Sequence, residues 1–151
     1  MNPHPVRSVG AARDDRPPPP MRVAGFDELA GKVVKGRQLA RSLGLPTANL
    51  VLDDQALPRF GVYAVRVALP DGRRRDGVAN LGVRPTLGDI APILEVHLLD
   101  LDEDLYGQVL SVRLVTWLRP ERRFPDLAAL QRQIQADVVE ARRWLADHPQ
   151  L

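Results

Sequence analysis

Cysteine is absent from the 151-residue chain, which excludes a disulfide framework and any thiolate metal site. Aromatic residues make up only 5%, too sparse for the stacking platform on which single-stranded nucleic acid is commonly held. No apolar run approaches the roughly 20 residues that a membrane-spanning helix requires. The leading MNPHPVRSVGAARDDRPPPP contains no apolar stretch of the kind a secretory signal needs, so the cytoplasm is the expected compartment. Two familiar phosphate-binding signatures are also missing. There is no GxxxxGK[ST], because Lys32 follows Gly31 but precedes Val33, and there is no GxGxxG. Lysine is confined to Lys32 and Lys35, so nearly all the positive charge is arginine. With a net charge of +2 and a pI near 9.5, the balance favours anionic ligands without demanding nucleic acid.

What remains is one domain's worth of ordinary globular sequence, 44% hydrophobic. Residues 1–22 form a separate proline- and arginine-rich lead ending in Pro17 to Pro20, which favours extended backbone, and residues 23–151 form the body. Strands are expected at Leu29 to Val34, Gly61 to Leu69, Arg75 to Leu81, Ile93 to Leu99 and Val109 to Leu118. In the second of these Tyr63, Val65, Val67 and Leu69 share a face, and in the last Leu110, Val112, Leu114 and Leu118 do. The period then lengthens. Leu127, Leu130, Ile134, Val138, Ala141 and Leu145 recur every three or four residues, predicting a helix entered near Pro125 and Asp126 and stopped by Pro149. Many short strands followed by one helix suggest a small barrel with a helix packed on it.

The run GKVVKGRQLARSLGLPTANL, Gly31 to Leu50, carries the chemistry. Pro46 fixes its own φ and pushes Leu45 toward extended backbone. If the following residues are extended, Thr47 and Asn49 share one face. Their hydroxyl and amide oxygens are neutral donors suited to Mg²⁺, which keeps water and substrate phosphate in its shell. In an extended Leu94 to Leu99, Glu95 and His97 would face away from Leu94, Val96 and Leu98. On the residues alone Glu95 is a solvated strand glutamate or a general base, and His97 is a strand histidine without zinc-binding partners.

Gly31, Val33, Val34, Gly36, Arg41, Leu43, Gly44, Pro46, Thr47, Ala48, Asn49 and Leu50 match the pattern GxVVxGxxxGRxLGxPTANL, and the chain thereby resembles the riboflavin kinase family. Ala40 departs from the glycine usual before the arginine in bacterial members. Further blocks follow in the family's order: GVANLGVRPT at Gly77 to Thr86, EVHLLDLDEDLYG at Glu95 to Gly107, and WLRPERRF from Trp117 into the last helix. The resemblance implies a closed antiparallel barrel of about six strands, Greek-key in type, with a C-terminal helix. It implies phosphorylation of the riboflavin 5′-hydroxyl by ATP, giving FMN and ADP. Glu95 would be the base. Gly36, Arg41, Thr47, Asn49 and Tyr106 would bind nucleotide, with Thr47 and Asn49 also holding Mg²⁺. Arg119, Arg122 and Phe124 would contact flavin, although Arg122 also reads as a solvated charge and Phe124 as packing at the helix entry. About thirty residues precede the kinase-like region and no HxGH motif occurs, so FAD synthesis is not expected. No nucleic acid, membrane or obligate protein partner is expected either. A catalytically silent flavin carrier and a basic nucleic-acid-binding barrel are the alternative readings.

Overall fold

Alternating apolar residues line the inside of a closed barrel whose strands run in the spatial order β1-β2-β5-β4-β3-β6. The computed structural model describes residues 27–35, 47–52, 57–86 and 89–150. The strands are β1 (Asp27–Val34), β2 (Thr47–Val51), β3 (Gly61–Ala68), β4 (Arg74–Thr86), β5 (Asp89–Leu98) and β6 (Val109–Arg119), followed by a helix α1 (Leu127–Asp147). Every neighbouring pair is antiparallel. The expected barrel and helix are therefore present. The 1–22 lead and the loop residues Gly36 and Arg41 lie outside the described residues. Among the described residues no helix is long and apolar enough to cross a membrane.

The interior holds Leu29 and Val33 from β1, Ala48 and Leu50 from β2, Tyr63, Val65 and Val67 from β3, and their counterparts on β4, β5 and β6. The expected face of Gly61 to Leu69 is thus the inner one. On β6 the alternation breaks. Leu110, Val112 and Leu114 point inward, but Leu118 packs outside with the helix. The pairing Val65 with Leu114 is followed by Ala64 with Thr116, so Val115 is an extra residue. A bulge of one residue reverses which face each later side chain occupies, so Trp117 packs on the inner cluster and Leu118 joins Val115 at the outer one.

Two strands are longer than the sequence pattern indicates. Beyond Leu81 and Ile93, β4 and β5 continue as a ribbon in which Gly82 pairs with Ile93, Arg84 with Ala91 and Thr86 with Asp89. The ribbon includes Pro85 and Pro92. Here each strand of the ribbon has one edge outside the ladder, where the N–H that proline lacks is not required.

The helix begins at the N-cap Asp126, whose side chain accepts from the Ala129 N–H at 2.8 Å. Ala141 and Leu145 pack with Val138 and Trp144 on Val62, Ala64, Val78 and Val115 of the barrel's outer face. Its last turn has no basic residue. Arg66 of β3 supplies the cation, donating to the carbonyls of Leu145 at 2.8 Å and His148 at 3.0 Å, groups that a helix end leaves unsatisfied.

Gly61 opens β3 at φ +143°, and a Cβ there would stand 2.5 Å from Trp117 Nε1 and 2.6 Å from the Arg119 carbonyl. Trp117 Nε1 donates to the Phe60 carbonyl at 3.1 Å. Gly61→Ala is expected to cost about 2 kcal/mol or more through this strain and collision, read as a lowered denaturant midpoint. A midpoint equal to the parent's would show that the β3 entrance relaxes freely.

Candidate active site

Glu95 and His97 lie on the strand face opposite Leu94, Val96 and Leu98, all three of which are in the barrel core. The same parity on β2 puts Ala48 and Leu50 inside and leaves Thr47 and Asn49 on the outer face. Register then brings these separate segments together. Asn49 on β2 is opposite Glu95 on β5, which is opposite Asn80 on β4. One step along, Thr47 is opposite His97, which is opposite Val78. Directly opposed residues have Cβ atoms about 5 Å apart, so two oxygen donors and the proposed base share one patch of wall. Thr47 Oγ1 and His97 Nδ1 are 3.3 Å apart.

Asn49 is buried. Glu95 keeps a quarter of its side chain exposed, which a proton acceptor needs if substrate is to reach it. Its Oε1 accepts from Arg84 Nη2 at 2.8 Å. Arg84 Nη1 also donates to Glu121 Oε2 at 3.2 Å, and Asn80 Nδ2 donates to that same oxygen at 2.8 Å. Burial works against the charge on Arg84, but Glu95 and Glu121 outweigh it and hold its pKa above the ordinary arginine value. Burial pushes the His97 imidazole below its usual value, opposed by the charges of Glu95 and Asp137. His97 is thus biased toward the neutral form.

Among the described residues no group of three or more His, Asp or Glu is placed to cage a metal. Thr47 and Asn49 offer neutral oxygens from the outer face of β2. A pair of them on one strand face fits Mg²⁺ that completes its shell with water and phosphate.

A family model described as Flavokinase, riboflavin kinase, matches residues 27–145. The chain belongs to the riboflavin kinase family. It is 51% identical over 115 residues to a Pseudomonas fluorescens protein named bifunctional riboflavin kinase/FMN adenylyltransferase, covering 76% of this chain and 37% of that protein. It is 42% identical over 111 residues to the Bacillus subtilis RNA-binding riboflavin kinase RibR, covering 73% of this chain and 47% of that protein. The chain therefore spans less than half the length of either relative. Among solved structures, riboflavin kinase from Trypanosoma brucei superposes with a TM-score of 0.58 at 28% identity, covering 82% of each chain.

In this riboflavin kinase domain the residues assigned to flavin form a cluster of their own. Arg119 Nε and Nη2 donate to the two Asp137 oxygens at 2.9 and 2.8 Å. Gln133 Nε2 donates to Asp137 as well, at 2.9 Å. Arg122 donates to Gln133 Oε1. The Arg119 and Arg122 guanidinium carbons lie 5.9 and 5.5 Å from the Phe124 ring centroid, within cation–π range. The structure brings Arg119, Arg122 and Phe124 together and gives both arginines partners on α1. Tyr106 is more than half exposed, with Lys35 Nζ 5.4 Å from its ring centroid. It stands beside the start of the basic loop rather than in the Glu95 row.

Sequence reasoning missed Asn80, Arg84 and Glu121. Asn80 carried a usable signal, being a polar residue between Ala79 and Leu81 in an otherwise apolar stretch. Arg84 and Glu121 carried none, because their meeting depends on the course of the ribbon and of the segment after β6.

Proposed function

We propose that this chain transfers the γ-phosphoryl group of ATP to the 5′-hydroxyl of riboflavin, producing FMN and ADP. The observation that carries the reading is the row Asn49, Glu95 and Asn80, with Thr47 on the same outer face, in a member of this family. The ribityl oxygen attacks the γ-phosphorus as the bond from that phosphorus to the β,γ-bridging oxygen breaks. Glu95 accepts the hydroxyl proton, and ADP departs with the bridging oxygen. Such a transfer asks a protein mainly for alignment and charge stabilisation. Thr47 and Asn49 would hold Mg²⁺, whose charge offsets that of the phosphates. Gly36, Arg41 and Tyr106 are assigned to the nucleotide, and Arg119, Arg122 and Phe124 to the flavin end.

The reading includes FMN as the end product of these 151 residues, since they contain no HxGH motif for adenylyl transfer. It also excludes nucleic acid as a partner and places the reaction in the cytoplasm. In support of the former, Arg66, Arg73, Arg84, Arg113, Arg119 and Arg142 are each paired with a carboxylate, which reduces the charge they offer to phosphates. Because a relative is named for RNA binding, a salt-titrated RNA-binding assay is the relevant check.

Incubation with riboflavin and Mg-ATP, followed by chromatography, is expected to yield FMN and no FAD. Failure to form FMN across divalent metals and pH would overturn the reading, and FAD formation would overturn its single-product part. Asn49→Ala is expected to weaken Mg-ATP about tenfold or more, the scale of one lost charge-assisted contact, while riboflavin still quenches. Calorimetry showing equal Mg-ATP affinity in variant and parent would remove Asn49 from the nucleotide site.

A further inference from the structure

We infer that Arg84, seated by Glu121, is the positioning residue that orients the Glu95 carboxylate toward the substrate hydroxyl; the inference rests on the kinase reading above. Arg84 engages only Oε1 of Glu95. One fixed oxygen defines the rotamer, and the other is left to take the proton. A glutamate on an outer strand face with no such contact samples several rotamers, few of which aim it at a given atom.

Arg84 comes from the β4–β5 ribbon and is long enough to need its own restraint. Its Nη1 donates to the Val83 carbonyl at 2.8 Å and to Glu121. Glu121 in turn is fixed by Asn80 Nδ2 and by a seat on Gly82. A Cβ at position 82 would lie 2.6 Å from the Glu121 carboxylate carbon, so any larger residue there would push that carboxylate out of its place. Asn80 is the cross-strand neighbour of Glu95. The contacts therefore close a ring from Glu95 through Arg84, Glu121 and Asn80 back to Glu95 across the β4–β5 ladder.

Two features separate this ring from a stabilising network. Its three charged side chains are 25 to 34% exposed, and pairs that open to water add little stability. It also leaves Asn80 Oδ1 buried with no partner among the described residues, an unfavourable arrangement that structures usually avoid unless a site requires it.

The test is single-turnover FMN formation at saturating riboflavin and Mg-ATP in the full chain, with riboflavin affinity by fluorescence quenching and Tm measured alongside. Arg84→Met is expected to slow the chemical step about tenfold to a hundredfold, the scale of a misplaced reacting group, with riboflavin affinity and the KM for ATP near the parent's. Arg84→Lys restores part of the rate. Gly82→Ala removes no charge yet slows the step too, because it displaces Glu121. In a Glu95→Gln background, Arg84→Met causes no further loss, since it acts through Glu95. A parent rate in Arg84→Met, a loss confined to KM or riboflavin affinity, or an undiminished fold-loss in the Glu95→Gln background would each overturn the inference. If the parent chain itself forms no FMN, the kinase reading fails and this inference with it. An active parent with an unaffected Arg84→Met sinks only the positioning role.

Discussion

Glu95→Gln is expected to form FMN at least about a hundredfold more slowly than the parent in a single turnover, the usual range for losing a general base. Glutamine keeps the size of the side chain and leaves an amide oxygen that can still accept from Arg84, so the fold and both ligand affinities should survive. The loss belongs to the chemical step because only there does a proton have to be accepted. Rapid mixing of preformed enzyme and riboflavin with Mg-ATP isolates that step from product release. An unchanged rate would remove Glu95 from the mechanism, and its exposure and ion pair would then be those of an ordinary surface glutamate.

Asp137→Ala is expected to have the largest effect on stability, about 3 to 5 kcal/mol, as found when one partner of a buried ion pair is removed. Asp137 is 3% exposed and receives both Arg119 and Gln133. Its loss leaves the Arg119 guanidinium, whose side chain is only 17% exposed, without its counter-charge. It also unties the end of β6 from α1. Replacing the pair together, as Arg119→Met with Asp137→Leu, should recover much of the loss, since well-packed apolar residues can substitute for a buried pair. Chemical denaturation of the three variants decides this. A single-variant loss below about 1 kcal/mol would mean that water reaches Arg119 and the pair behaves as a surface one. The double variant also bears on the flavin assignment, because it removes Arg119 while restoring the packing.

Particular segments show why some of this was legible in the chain and some was not. β3 was readable because Tyr63, Val65, Val67 and Leu69 obey a strict period of two and all face the core. The helix was readable because its apolar spacing changes to three and four residues, with Asp126 as a cap. Asp137 was not, because a carboxylate at a buried helical position looks solvated until its partner from another element is known. Leu118 was placed on the inner face by the same period that worked for Leu110 and Leu114. Bulges depend on how β3 and β6 pair, and a single strand carries no trace of them. β4 and β5 run past the expected Leu81 and Ile93, and only the ribbon pairing of Gly82 to Thr86 with Asp89 to Ile93 shows how far they extend.

By itself the sequence determined which side chains share a strand face. Oxygen donors two residues apart after a proline, and a glutamate opposed in parity to leucines, are local facts that need only an extended backbone. The family blocks added the order in which those facts occur. Tertiary structure alone decided the company each residue keeps. Asn49, Glu95 and Asn80 are separated by 46 and 15 positions of chain, and they form a row only because the registers of β2–β5 and β4–β5 coincide at Glu95. The clasp of Arg84 and Glu121 goes one step further from the sequence. It depends on a ribbon leaving the barrel, a glycine with nothing above its Cα but a carboxylate, and the path of the chain after β6. Periodicity is set by backbone geometry within a strand, whereas register is set by the whole closed sheet, and a charge in the sequence cannot declare which opposite charge the sheet will bring beside it.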